Sequence, residues 1–154
     1  MKNQSINLSL ALAGGITLAS MIAVNSELAA FSSPLLASWF AHGIGAVTSF
    51  LVLLAVNALM GKKISLLPKS ETPIWAYLGG IPGAFTVILA AITVNSPLGL
   101  SGSIVLIMAG QVLFGLISDI FGLFGLRKRL MNNNDVIGLV FMGAGCLITM
   151  FGRA

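Results

Sequence analysis

Apolar residues fill five long segments of the chain, and polar residues concentrate in the short stretches between them. The segments cover residues 7–30, 34–60, 73–94, 97–126 and 136–151. A helix needs about 20 predominantly apolar residues to cross a bilayer. Four segments exceed that length and the fifth approaches it. The pattern predicts an all-α, polytopic membrane protein whose five transmembrane helices form a single domain over residues 1–154.

Helix-start signals mark the segment boundaries. Ser33, Thr72 and Ser96 each stand directly before a proline, and a capping hydroxyl followed by proline is typical of a helix N-terminus. Asp135 is expected to cap the fifth helix in the same way. Within the third segment, Pro82 lacks a backbone N–H and crowds the preceding turn, which predicts a kink.

The composition indicates that the chain lies in a lipid bilayer. Hydrophobic residues make up 57% of it and charged residues 8%, with a mean hydropathy of +1.03. A soluble domain of this size cannot cover so much apolar surface. The basic residues lie in short loops, so the high pI indicates membrane topology and no nucleic-acid partner. A single cysteine, Cys146, excludes an intrachain disulfide.

The basic residues also predict an orientation. The N-terminus and the loops after the second and fourth helices share one side of the membrane, and Arg153 lies on the other. By the positive-inside rule, the N-terminus is cytoplasmic and the C-terminus is outside. The first side holds seven of the eight basic residues: Lys2, Lys62, Lys63, Lys69, Arg127, Lys128 and Arg129.

Two polar residues in the fourth segment are the strongest functional signal. Gln111 and Asp119 are eight residues apart, which puts them on about the same helix face. Polar groups at this depth are costly in lipid, so both should face protein or water. Gln111 either hydrogen-bonds a neighbouring helix or lines a substrate pathway. Asp119 either pairs with a basic residue of the 127–129 cluster or a basic loop, or takes up a proton during transport.

The second segment carries an aromatic and an imidazole on one face. His42 follows Trp39 by three residues, and it either bonds a backbone carbonyl or contacts substrate. The indole of Trp39 is a candidate for receiving an organic cation. No second His, Cys or carboxylate stands at metal-ligand spacing, so no metal site is expected. No catalytic set and no cofactor motif accompany these residues.

Small residues recur at four-residue spacing. Ala37, Ala41 and Gly45 form one row, and Gly79 and Gly83 form another. Such rows let helices approach closely in lipid. They serve either packing within the chain or contact with a second subunit.

Several motifs resemble those of the YdcZ-like family, the half-size, five-helix branch of the drug/metabolite transporter superfamily. The most specific are Ala109-Gly110-Gln111 and the stretch from Asp119 to Gly125, DIFGLFG, and a third matching piece begins at Asn25. The resemblance implies a bacterial inner-membrane protein with Asn25 on the substrate pathway. Glu27 and Ile120 depart from the pattern, since a small or neutral residue and a histidine are expected there. Glu27 is either solvated at the outer surface or in contact with a partner's basic end.

These observations together predict a secondary-active transporter and not an enzyme. The resemblance implies two antiparallel five-helix halves around a central site, and we expect the pair to export a small molecule or an organic cation. The charge bias opposes insertion of one chain in both orientations. The partner is an oppositely oriented paralogue, a second copy of which a minority is inverted, or a parallel copy. We expect an antiparallel pair with the paralogue as its native partner. The alternative is a non-transporting membrane subunit or assembly partner.

Overall fold

A computed structural model describes residues 2–61 and 72–152 of the chain. These residues form five α-helices and two short 3₁₀ turns. The α-helices are α1 (Lys2–Phe31), α2 (Pro34–Met60), α3 (Gly80–Val94), α4 (Gly99–Phe121) and α5 (Asn133–Phe151). Short 3₁₀ turns cover Ile74–Tyr77 and Leu123–Gly125. Five stretches are long and apolar enough to cross a membrane, the third formed by Ile74–Val94. The prediction of an all-α protein with five membrane-spanning segments is confirmed.

One of the predicted hydroxyl caps forms as expected. The Ser33 hydroxyl accepts a hydrogen bond from the N–H of Leu36 at 3.2 Å, and Pro34 is the first residue of α2. The expectation for Thr72 is wrong, because the third span opens with a 3₁₀ turn that has no side-chain cap. Proline in the first turn of a helix fixes its own φ, but this φ is compatible with both an α-helix and a 3₁₀-helix.

The predicted start of the fourth helix at residue 97 is also wrong. The chain turns at Gly99, whose φ is +61°, and this left-handed residue prevents a continuous helix from Pro97. Ser96 caps the turn instead, since its hydroxyl accepts from the N–H of Leu98 at 3.2 Å. The helix therefore begins two residues later than its proline.

The fifth helix begins with a capping box. Asn132, and not Asp135, occupies the cap position, and its side chain accepts from the N–H of Asn133 at 2.7 Å. The Asp135 carboxylate reaches back to the Asn132 N–H at 2.9 Å. This reciprocal pair satisfies backbone donors at both positions, and it corrects the role expected of Asp135.

The third span is broken before Pro82 instead of kinked at it. Leu78 and Gly79 form a turn between the 3₁₀ segment and α3, and Pro82 lies in the first turn of α3. In a continuous helix, residue 82 would donate its N–H to the Leu78 carbonyl, but proline has no N–H and its ring clashes with that carbonyl. Because the helix is broken, the Leu78 carbonyl accepts from the N–H of Ile81 at 3.0 Å and keeps a partner.

The chain forms two compact units, Met1–Ile92 and Thr93–Ala154. The first holds α1, α2 and most of α3, with a core of small buried side chains at Ala29, Ala37 and Ala91. Small residues allow helix backbones to approach without help from large side chains. Ala37 therefore serves packing within the chain, whereas the Cα of Gly45 faces open space.

The second unit consists of α4, α5 and their connection. Cys146 of α5 is buried, and its thiol lies 3.9 Å from the Val105 carbonyl of α4. Phe114 of α4 stacks at a tilt on Phe124 of the connection, with 6.2 Å between ring centroids. These contacts pack α5 and the connection against α4. A single domain over the whole chain stays a prediction.

Candidate functional site

The family-like stretch from Asp119 to Gly125 forms a hook at the end of α4. Gly122 and Gly125 adopt left-handed φ values of +66° and +79°, which only glycine adopts without strain. The hook turns the chain back, and the Arg129 N–H donates to the Asp119 carbonyl at 2.9 Å. A helix-end carbonyl that would otherwise lack a partner is thereby satisfied.

A groove of about 540 Å³ lies between α4 and α5 beside this hook. Its polar end gathers two carboxylates, one guanidinium and one amide, and its remaining walls are apolar. Such a mixture suits a small molecule with a charged end and an apolar body. The lining residues are Val112, Gly115, Leu116, Asp119, Arg129, Asn134, Asp135, Gly138, Leu139 and Met142.

Arg129 is committed to Asp135, not to Asp119. Its guanidinium hydrogen-bonds the Asp135 carboxylate in an exposed ion pair. That hydrogen bond, the charge of Asp135 and, to a smaller extent, the charge of Asp119 raise the pKa of Arg129 above its ordinary value. The ion pair considered for Asp119 with the 127–129 cluster is thus made by Asp135. The loop that carries Lys62, Lys63 and Lys69 lies outside the described residues.

The Asp119 carboxylate has no hydrogen bond and no ion pair to any residue in 2–61 or 72–152. It is partly buried and lines the groove. Gln111 is exposed near the middle of α4 and is absent from the groove wall. The lining of the groove therefore combines Asp119 with Asp135 and does not include Gln111. A pathway role for Asp119 or Gln111 stays a prediction.

A second groove, of about 450 Å³, brings Trp39 and His42 together as the spacing predicts. Trp39 is 68% exposed and meets the Phe40 ring edge to face, with centroids 5.1 Å apart. The Nδ1 atom of His42 lies 2.8 Å from the Ser38 carbonyl oxygen. The groove lies between α2 and α3 and is lined by Leu35, Ser38, Trp39, His42, Gly43, Ala84 and Ile88.

Asn25 is among the lining residues of neither groove. It contributes to a wide groove of about 710 Å³ on α1 and α2 and to a narrow cleft beside α3. Its Nδ2 is buried and has no hydrogen-bond partner among the described residues. A buried amide donor of this kind is costly. Glu27, two residues later, is exposed.

The sequence did not predict that Arg129 and Asp135 line the α4–α5 groove and form an ion pair there. The capping pattern from Asn132 to Asp135 was the available signal, because it places a carboxylate at the start of α5. In the part of the chain that the structure describes, no three His, Cys, Asp or Glu side chains form a group that could hold a metal.

Comparison with known proteins identifies the family of this chain. The family model described as "Putative inner membrane exporter, YdcZ" matches residues 6–148, nearly the whole chain. No curated protein and no solved structure matches. The five spans also fit a half-size transporter. The chain therefore belongs to the YdcZ family of inner-membrane exporters, and it is a multi-pass protein of that membrane.

Proposed function

We propose that this chain is one half of a secondary-active exporter whose substrates are small organic cations. The observation that carries the proposal is the Asp119 carboxylate, which lines the α4–α5 groove without a partner among the described residues. The charged side chains of that groove are two carboxylates and one guanidinium. One negative charge is left over for a ligand, and a cation or a proton is the species that neutralises it.

The groove supplies both parts of organic-cation recognition. The apolar walls from Val112 to Leu116 and along α5 accept a hydrocarbon body, and Asp119 accepts its charge. In this proposal the cation and a proton compete for the Asp119 carboxylate, and their exchange couples export to a proton gradient.

The exporter is further proposed to be an antiparallel pair of five-helix halves with this chain inserted N-in and C-out. Gln111 supports pairing, because an exposed amide near the middle of α4 needs a hydrogen-bond partner in lipid. The charge bias of the whole sequence supports one fixed orientation. Together these favour an oppositely oriented paralogue as the partner, with a second copy as the substitute when the chain is purified alone.

Flux of a radiolabelled protonated amine in proteoliposomes tests the transport proposal. Wild-type protein should move the cation against its gradient when a proton gradient is imposed, and collapse of the gradient should stop it. Asp119→Asn should abolish driven flux while the protein stays folded. Glu27→Gln is the matched control, because it neutralises an exposed carboxylate outside the groove.

Driven flux that survives in Asp119→Asn would refute the assignment of Asp119. No driven flux by the wild-type protein, alone or with its paralogue, would instead support the non-transporting subunit. Gln111→Leu separates two further roles. Loss of flux with unchanged stability places Gln111 on the pathway, and loss of stability makes it an interhelical contact.

A further inference from the structure

The tautomer of His42 is fixed by its contact with α2. Nδ1 lies 2.8 Å from the Ser38 carbonyl oxygen, and a carbonyl oxygen only accepts hydrogen bonds. Nδ1 therefore carries the proton. In the neutral ring, Nε2 is left as an acceptor, and no donor among the described residues bonds to it.

The ring is held by α2, which is itself bonded to α3 beside it. Ser38 is buried, and its hydroxyl donates to the Ala84 carbonyl of α3 at 3.1 Å. A Cβ added at Gly83 would lie 3.4 Å from Nε2. The missing side chain at Gly83 thus leaves space next to the free acceptor. The Nδ1 contact sets the direction of Nε2, and Gly83 leaves room beside it.

Trp39 adds a surface for positive charge to the same groove. Its indole is largely exposed and lies one helical turn before His42. An indole face attracts cations, and the attraction grows when water is excluded. The residues that line this groove include no charged side chain, so a cation there depends on the indole and on Nε2.

We propose that the α2–α3 groove binds protonated amines that carry at least one N–H more tightly than their quaternary counterparts. The indole of Trp39 attracts both kinds of cation, but only an ammonium N–H can donate to Nε2 of His42. This inference rests on the proposed function, because it names a substrate class for the exporter. It concerns a different groove from that of Asp119, so the two can fail separately.

A single-tryptophan protein provides a direct binding assay. The chain has two tryptophans, so Trp75→Phe leaves Trp39 as the only indole emitter. The probes are benzyldimethylammonium, which has one N–H, and benzyltrimethylammonium, which has none. Titration in non-ionic detergent should show about ten-fold tighter binding of the first probe, the effect of one charge-assisted hydrogen bond.

Variants of His42 test the origin of the preference. His42→Phe removes the acceptor and should bring the two affinities together, whereas His42→Gln restores an acceptor and should recover part of the difference. Gly83→Ala should weaken binding of the N–H probe, because its methyl group crowds Nε2. Gly80→Ala is the matched control in the same helix, since its Cβ would meet nothing within 4 Å.

Each outcome decides the proposal. A preference for the N–H probe that is lost in His42→Phe supports it. Equal affinities in the parent protein, or a preference that survives in His42→Phe, overturn it. If Trp39 responds to neither probe while driven flux still depends on Asp119, this inference fails and the proposed function stands. If the preference is found without driven flux, the amine site stands and the proposed function fails.

Discussion

Gly122 provides a test of how closely the hook packs at the end of α4. Its φ of +66° costs an L-residue about 1–2 kcal/mol. An added Cβ would also lie 2.7 Å from Cγ of Lys128 and 3.1 Å from the Leu126 carbonyl oxygen. Such overpacking typically costs a further ~1–3 kcal/mol. Gly122→Ala should therefore lower the free energy of unfolding by roughly 2–5 kcal/mol.

Two other glycines separate these contributions. Gly125 also has a left-handed φ, but a Cβ there would meet nothing within 4 Å, so Gly125→Ala should cost only about 1–2 kcal/mol. Gly110 lies inside α4 with open space around it, and Gly110→Ala should be neutral or stabilising by up to ~1 kcal/mol. The free energies come from unfolding in mixed micelles by denaturing detergent. A Gly122→Ala protein no less stable than Gly125→Ala would refute the close packing of the hook.

Three further predictions concern packing, orientation and assembly. Ser38→Ala should lower the free energy of unfolding by about 1 kcal/mol, because it removes a hydrogen bond from α2 to α3. The Ser49 hydroxyl bonds within α2, so Ser49→Ala should lower that free energy less. Equal effects of the two substitutions would contradict the α2–α3 contact. Reporter fusions should place the N-terminus in the cytoplasm and the C-terminus outside, and equal signals from both sides would reveal dual topology. In a Cys146→Ser background, single cysteines at Met60 and Pro97 should cross-link to each other between chains in native membranes if the pair is antiparallel, whereas bonds only between like positions would exclude that arrangement.

The spans were predictable from sequence because lipid imposes a simple rule. Every backbone polar group in the hydrocarbon core must be satisfied within the segment, so long apolar runs have to be helices. Helix ends were less predictable. Ser33 caps α2 as expected, but the left-handed Gly99 moves the start of α4 and a break before Pro82 replaces the expected kink.

The site was predictable only where spacing along one helix decides it. Trp39 and His42 are three residues apart on α2 and share a groove. The partner of Arg129 depends on how the hook folds back against α5, which no spacing within α4 reveals. Asp135 was expected only as a helix cap, yet it also holds the guanidinium that would otherwise be available to Asp119.

Binding of a quaternary cation tests most directly whether the Asp119 carboxylate is the cation site. Benzyltrimethylammonium cannot donate to His42, and a Trp39→Leu background also removes the indole of the α2–α3 groove. Calorimetric titration of proteins in this background, in detergent micelles, therefore reports on the α4–α5 groove. At an effective dielectric constant of about 20, two unit charges about 5 Å apart attract each other by roughly 3 kcal/mol, so Asp119→Asn should weaken binding at least about ten-fold. Glu27→Gln should bind as the wild type does. Equal affinity of the wild-type and Asp119→Asn proteins would contradict the proposed cation site.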